Sequence, residues 1–309
     1  MEKKPLVSII ILNYNDREFI GDCLESVFNN DYGNIEVTLV DTGSTDDDYS
    51  KLERNYPYLK ILKLKERTGF AKANNIGIKA SRGDYFFLLN NDTIMKRDCL
   101  TLLVDAFQRE PGLKLAGALG PPLALAGTDF TVPWDEELIY SHMISGFAMM
   151  IKKDCIKKIG YLEETFFFYG EDEEYGWRCN LAGYKVAYVR GAIVFHHRGG
   201  GKSQFNFQKL RNGIYWHIKL LDGIDLVKAL FCDVTFQTIG RTIRWPKDIL
   251  EVGGAWIWIG KHLKDIVRER HEFNAIKQFN SRHVFKLQQS CSLYLNAFNK
   301  SVKSYLKTT

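Results

Sequence analysis

The side chains best suited to chemistry sit where apolar runs stop. Phe86-Phe87-Leu88-Leu89 gives way to Asn90-Asn91-Asp92-Thr93. Two amides and a carboxylate are thereby delivered to the C-terminal edge of a sheet, the edge at which open α/β folds bind ligands. Val7 to Leu12 stops in the same manner at Asn13-Tyr14-Asn15-Asp16, and Ile35 to Val40 stops at Asp41-Thr42-Gly43-Ser44-Thr45-Asp46. Further on, the aromatic block Phe166-Phe167-Phe168-Tyr169 runs through Gly170 into Glu171-Asp172-Glu173-Glu174. Acids at a helix start are favoured by the macrodipole, but four in a row exceed what capping needs. Their mutual repulsion raises at least one pKa, which suits a general base. Finally, Ala192 to Phe195 delivers His196-His197, followed by Arg198-Gly199-Gly200-Gly201-Lys202-Ser203. A strand-end histidine pair before glycines and cations suits metal or phosphate.

The elements that must position these groups alternate. Strands are predicted over 7–12, 35–40, 59–64 and 86–89. Helices are predicted between them, one opening after a cap at Asp16 with Phe19, Ile20, Cys23, Leu24 and Val27 on one face, one over 49–56, and one over 70–80. Such β-α-β alternation implies right-handed crossovers and a mostly parallel sheet, with Asn15, Asp41 and Asp92 along one edge. A helix over 98–109, a strand over 113–119 and a Gly/Pro-rich loop over 120–133 follow. Then come a strand over 145–151, a short helix from Asp154 to Gly160, and strand pieces at 186–189 and 192–195. No GxGxxG follows the first strand and no GxxxxGK[ST] occurs, which disfavours ordinary dinucleotide and P-loop sites.

With 309 residues the chain suits one large α/β domain plus an extension. The six cysteines are scattered with no CxxC, which argues against a zinc ribbon and suits a reducing compartment. The N-terminus leads at once into a strand without a signal-peptide core, and no run is long enough to span a bilayer. A cytoplasmic protein is expected, one that could lie peripherally on the inner face of the membrane. From Gly240 onward there are 13 Lys and Arg against 5 Asp and Glu, a net of +8, which leaves −3 for the rest of a chain whose total is +5. After about Phe207 the chain reads as helices over 210–221, 225–240, 246–264 and from 273 onward. Trp216, Phe231, Phe236, Trp245, Trp256, Trp258, Phe273 and Phe279 are interleaved there with Lys and Arg. The patch Gly254-Ala255-Trp256-Ile257-Trp258-Ile259-Gly260 suits an interfacial helix on an anionic membrane, or an ordinary helical subdomain with aromatics turned inward.

Four motifs together resemble the family 2 glycosyltransferases of the GT-A fold, and within them the rhamnosyltransferase-like group. They are Ser8 to Asn15; Leu39 to Asp46; Gly69-Phe70-Ala71-Lys72-Ala73-Asn74-Asn75-Ile76-Gly77 with Gly83-Asp84 and Leu88 to Asp92; and Phe166 to Arg178 with Ala182-Gly183-Tyr184. The resemblance covers about residues 5–205. It implies a GT-A domain over 1–206 and a C-terminal helical extension over 207–309 that docks to a membrane or partner, a candidate homodimer surface. It implies an inverting enzyme that moves a sugar from a nucleotide-diphosphate sugar, dTDP-rhamnose or a UDP-sugar, to a glycan or polyprenyl-diphosphate-linked acceptor. No nucleic acid is expected as a partner. Under the resemblance Leu12, Asn13, Asn15, Asp41, Gly69, Asn74, Asn90 and Asn91 hold the nucleotide. Asp41 accepts from the pyrimidine N3–H. Asp92 and His196, with His197 as the fallback, hold Mg²⁺ or Mn²⁺. Asp172 is the base beside Glu171, and Gly146, Trp177 and Glu174 meet the acceptor. The chain departs from the pattern in carrying Asn at the first two positions of the DxD-like triplet, which leaves one carboxylate for the metal, and in carrying Glu174 where Asp is common. Two other classes share parts of this pattern. A sugar nucleotidyltransferase would want a Gly-rich, basic N-terminal loop where this chain has Asn13 to Asp16. A non-catalytic sugar-nucleotide binder would not need Asp92, Asp172 and His196 intact.

Overall fold

The computed structural model describes residues 4–45, 48–121, 135–197, 206–240, 243 and 248–308. The chain begins with strand β1 (Val7–Asn13), helix α1 (Ile20–Phe28), β2 (Ile35–Asp41), α2 (Ser50–Asn55), β3 (Leu59–Lys63), α3 (Phe70–Lys79), β4 (Tyr85–Asn90) and β5 (Thr93–Met95). It continues with α4 (Cys99–Arg109), β6 (Leu113–Leu119), β7 (Leu138–Tyr140), β8 (Ala148–Lys152), α5 (Lys153–Ile159), α6 (Glu171–Leu181) and β9 (Lys185–His196). The helical extension holds α7 (Asn206–Leu220), α8 (Gly223–Cys232) running into a π-helical stretch (Asp233–Gly240), α9 (Ile249–Asn274) and α10 (Ser281–Thr308).

The sheet has the order β3-β2-β1-β4-β8-β6-β9-β5, with β7 also on β9. β1 pairs in parallel with β2 and β4, and β2 with β3. β8 is antiparallel to both β4 and β6, so β6 points the same way as β4, and β9 follows β6 in parallel. The long strands therefore share one direction apart from β8. The expectation of a mostly parallel sheet holds, with short β5 and β7 reversed against β9. β-branched and aromatic runs account for the strands: Val7, Ile9, Ile10 and Ile11 are fully buried, as are Phe87 and Leu88, each worth ~1.5–3 kcal/mol relative to exposure. One core lies between the sheet and α1 and α4, a second between the sheet and α3, α5 and α6.

Several sequence expectations are corrected. Asp16 does not cap α1, which starts at Ile20 after Phe19 with no side-chain cap bond. The two late strand pieces are one strand, β9, which continues through Gly191 at φ +80°. The strand expected from Ser145 starts at Ala148, leaving Ser145-Gly146-Phe147 as a loop at its head. The expected helix over 225–240 changes to π geometry at Asp233. Most of the Gly/Pro-rich loop, the stretch Arg198 to Ser203, Asp46 and Trp245 lie outside the described residues, as does the Phe236 side chain.

A third core joins the extension to the sheet domain. Phe166 and the α6 residues Trp177 and Leu181 pack with Ile214 and Trp216 of α7, Val252 and Ile259 of α9, and Val284 of α10. Trp256 and Trp258 of the expected interfacial patch are partly buried against this core. Trp256 Nε1 donates to Thr238 Oγ1 at 2.8 Å, and the Trp258 ring stacks on His262 at 3.8 Å. The aromatic residues of the patch thus serve packing, and what reaches solvent between them is Ile257.

Candidate active site

The register puts the polar tips side by side: Asn13 pairs with Asp41, and Leu12 with Asn90. Above them opens a cleft of about 660 Å³, lined by Leu12, Asn13, Asn90, Asn91, Asp92 and His196 on one wall and by Gly146, Glu171 and Asp172 on the other. Asp92 Oδ1 lies 3.1 Å from His196 Nε2, because Thr93 of β5 pairs with His196 of β9. The His196 ring stacks on Phe147 at 5.0 Å, and Asn90 Nδ2 stands 3.5 Å from its Nε2. His197, next along the strand, points to the other side, exposed and packed on Phe19 at 4.0 Å. Only its backbone serves the site, its N–H donating to the Asp92 carbonyl at 2.9 Å.

Asn91 explains why an amide stands in the middle of the triplet. Its Nδ2 donates to Asn13 Oδ1 at 3.0 Å and to the Asp16 carbonyl at 3.2 Å. A carboxylate has no proton for either acceptor at neutral pH. Asn91 therefore locks the tip of β4 to the loop after β1.

The opposite wall is built by the start of α6. Tyr169 and Gly170 both take left-handed backbone, at φ +72° and +88°. That costs nothing for Gly170 but on the order of 1–3 kcal/mol for Tyr169. Asn212 of α7 holds this turn, its Nδ2 donating to the Phe168 carbonyl at 3.0 Å and the Tyr169 carbonyl at 2.6 Å. From the other side Gly69 lets the backbone of 166–168 approach: a Cβ there would meet the Phe167 carbonyl oxygen at 2.3 Å. The Phe70 N–H donates to that oxygen at 2.9 Å.

Asp172 accepts from the Gly146 N–H at 3.1 Å through Oδ2 and from its neighbour's N–H at 2.9 Å through Oδ1. Burial raises its pKa even so. Glu171 is buried and its Oε2 has no hydrogen-bond partner. Burial first, then the charge of Asp172, pushes its pKa up to about 8. Both carboxyls are thus held above their ordinary range by burial, Glu171 also by the charge of its neighbour. Asp172 faces the cleft, placed to take a proton from a bound hydroxyl.

Other expected site residues lie elsewhere. Asp41 is buried, accepting from Tyr49 Oη at 2.7 Å and the Ser44 N–H at 2.8 Å, and Thr42 takes its place on the cleft wall. Asn15 sits at φ +49° and ties the two loops, its Oδ1 accepting from the Thr45 N–H at 2.8 Å. Asn74 is buried in α3 and donates to the Phe70 carbonyl. Trp177 lies in the third core, between Trp216 and Phe285. Glu174 is fully buried in an ionic cluster: Arg178 Nε lies 2.7 Å away and Lys219 Nζ 3.1 Å away, the lysine also reaching Glu163 at 2.7 Å and Glu269 at 3.0 Å. Burial opposes the Lys219 charge, but the three carboxylates outweigh it and hold its pKa up at about 12. Neither Trp177 nor Glu174 lines the cleft. Tyr14, Asp16, Thr68, Phe70, Ser145, Phe147, Phe168 and Tyr169 do line it without having been singled out as site residues; Phe168 and Tyr169 had a signal, the aromatic block before the acids.

Residues 8–117 match the family model of glycosyl transferase family 2. An uncharacterized glycosyltransferase of Haemophilus influenzae is 31% identical over 124 residues, 38% of this chain and 38% of that protein. Poly-beta-1,6-N-acetyl-D-glucosamine synthase of Staphylococcus aureus is 26% identical over 214 residues, 61% of this chain and 51% of the synthase. The chain spans only 19% to 51% of the length of these and the other curated relatives it matches first. Among solved structures, Staphylococcus aureus TarS 1–349 in complex with UDP-GlcNAc superposes with a TM-score of 0.62 at 16% identity, covering 98% of this chain and 92% of that one. A mannosyltransferase from Pyrobaculum calidifontis in complex with GDP-Man and Mn²⁺ gives 0.59 at 15% identity, covering 97% and 88%. The architecture is the GT-A fold of glycosyltransferases, with C-terminal helices added.

Proposed function

We propose that this chain is an inverting glycosyltransferase that moves a sugar from a nucleoside-diphosphate sugar to a hydroxyl group of a glycan or lipid-linked acceptor. The observation that carries the reading is the pairing, across one cleft, of the adjacent carboxyls Asp172 and Glu171 with the Asp92–His196 couple on the facing wall. Asp172 takes the proton of the acceptor hydroxyl as its oxygen forms a bond to the anomeric carbon. The bond from that carbon to the diphosphate oxygen breaks, and the nucleoside diphosphate leaves with the electron pair. The Gly146 N–H fixes Asp172 in place, and Glu171 excludes a second negative charge from beside it.

The residues present fit a divalent cation. Two ligands on adjacent octahedral positions at about 2.1 Å from a metal lie about 3 Å apart, and Asp92 Oδ1 and His196 Nε2 are separated by 3.1 Å. Among the described residues no group of three or more His, Cys, Asp or Glu forms a closed metal cage. Asp92 and His196 would then hold Mg²⁺ or Mn²⁺, which when bound would neutralise the charge that develops on the leaving group.

For the donor, UDP-sugars have the support of the TarS–UDP-GlcNAc likeness and of the poly-N-acetylglucosamine synthase relative, while dTDP-rhamnose rests on the motif resemblance. Both present a pyrimidine. A thermal-shift panel of UDP-, dTDP- and GDP-sugars with and without Mn²⁺ tests the reading, because a ligand bound to the folded state alone stabilises it by mass action. Stabilisation by one donor that needs the ion, followed by turnover with release of the nucleoside diphosphate, is expected. A panel without any shift overturns it.

A further inference from the structure

Before Ile224 the large apolar side chains exposed among the described residues are tyrosines alone, Tyr14, Tyr58, Tyr140 and Tyr161, each carrying a polar hydroxyl. From α8 into α9 the pattern changes. Val227 is 60% exposed, Phe231 63%, Ile243 75%, Leu250 84% and Ile257 61%. Isolated exposed aliphatics are ordinary, but a concentration of them on one part of a surface marks an interaction site. They also share a place. Val227, Phe231 and Val234 recur at the spacing of one helical face, while Leu226, Ala229 and Leu230 of the same helix pack on the third core. The hydrogen bond from Trp256 to Thr238 sets Ile257 and Ile239, the next residues of each chain segment, on adjoining elements.

Along α9 the outward stripe changes character. Leu250, Ile257, Lys261 and Lys264 fall at i, i+7, i+11 and i+14, within one narrow face of a helix, and all four are exposed. The stripe is apolar at the N-terminal end of α9, and Lys261 and Lys264 stand about 6 and 10 Å further along the axis from Ile257. This gradient of hydrocarbon followed by cations matches the depth profile of a bilayer surface, acyl chains and then phosphates. It does not suit a second copy of the chain. A two-fold contact along this stripe would set lysine against lysine if parallel, or lysine over Leu250 and Ile257 if antiparallel. No helix among the described residues is long and apolar enough to cross a membrane, so the element would dip obliquely into one leaflet rather than span the bilayer.

We propose that the exposed face formed by α8, the π-helical stretch and the first half of α9 docks this protein onto an anionic lipid bilayer, with Phe231, Leu250 and Ile257 in the acyl boundary and Lys261 and Lys264 at the headgroups. The face is distinct from the Trp256 and Trp258 rings, which pack inward. It also lies apart from the cleft, so its role stands or falls independently of the donor chemistry.

The test is flotation of the full chain with vesicles of phosphatidylcholine, with and without phosphatidylglycerol. The wild-type protein is expected to float with the anionic vesicles. L250E/I257E should weaken that binding by roughly tenfold or more, from the loss of two buried aliphatic side chains. K261E/K264E should weaken it by roughly tenfold and remove its salt dependence. Both pairs are exposed, so the fold and nucleotide-sugar thermal shifts should be unchanged, which separates this result from a failure of the catalytic reading. Absence of wild-type binding to anionic vesicles overturns the proposal, as does undiminished binding by L250E/I257E. A wild-type dimer that L250E/I257E converts to monomer, without vesicle binding, assigns the face to a second copy and also overturns it.

Discussion

Glu171→Gln offers a direct reading of how the acid pair is held. In the folded protein Glu171 keeps its proton up to a pKa of about 8, for reasons of burial and of the adjacent Asp172 charge, whereas in the unfolded chain it titrates near 4.3. Between those values the folded state binds the extra proton, so stability falls as pH rises. The loss begins above the unfolded pKa and is complete once pH exceeds the folded one. At ~1.4 kcal/mol per unit the ceiling is about 5 kcal/mol, and sharing of the proton with Asp172 brings it to on the order of 3 kcal/mol. Glutamine removes this titration but keeps a buried amide whose added donors lack partners, a cost of about 1–3 kcal/mol at every pH. The variant should therefore be no more stable than wild type near pH 5 and more stable near pH 9, with the two curves crossing between. Chemical denaturation at a series of pH values measures this. Parallel curves across that range would show that Glu171 ionises normally, and the division of labour between Glu171 and Asp172 would have to be abandoned.

Asp172→Asn should lower kcat by about 10²–10⁴ with donor affinity nearly kept, since it removes only proton acceptance; turnover close to wild type would displace Asp172 as the base. Asp92→Ala should abolish the Mn²⁺ dependence of the donor-induced thermal shift, while Asn90→Ala, whose amide stands at a marginal 3.5 Å from His196, should change it little. Equal effects would refute the assignment of the ion to Asp92. Lys219→Met leaves Glu163, Glu174 and Glu269 facing one another in the interior, and breaking such a buried cluster should cost about 3–5 kcal/mol in urea denaturation.

What could be read from the chain was the set of groups at the strand ends, because a buried strand must finish at the sheet edge and its polar residues are visible in one dimension. Which of two neighbouring side chains faces the cleft was not. Asp41 and Thr42 alternate by strand geometry, and the choice is made by Tyr49, whose hydroxyl draws Asp41 inward. His196 and His197 alternate likewise, and β5 decides between them. Glu174 shows the same limit on a helix. Four acids in a row read as one feature, yet Glu171 and Asp172 line the cleft while Glu174 turns into a buried ionic cluster. Of the two cations that make burial of Glu174 tolerable, Arg178 lies one turn on along the same helix and Lys219 lies on α7, far along the chain.

That partner also changes what the extension is. Lys219 and Asn212 both stand on α7. One neutralises Glu174 on the catalytic helix, and the other donates two hydrogen bonds to the left-handed turn from which Glu171 and Asp172 project. Tyr169 holds its φ of +72° against an intrinsic cost, so the turn needs support from outside its own segment. Asn212→Ala should then leave the sheet core intact, since the hydrogen bonds of Asn212 go to the 168–169 turn and to Arg211 and not to a strand. The turn would relax, the Gly146–Asp172 contact would loosen, and kcat should fall by more than KM rises, with partial rescue by Asn212→Gln if the longer amide can reach the same carbonyls. A fall confined to stability, with kcat unchanged, would make α7 a brace for the core alone.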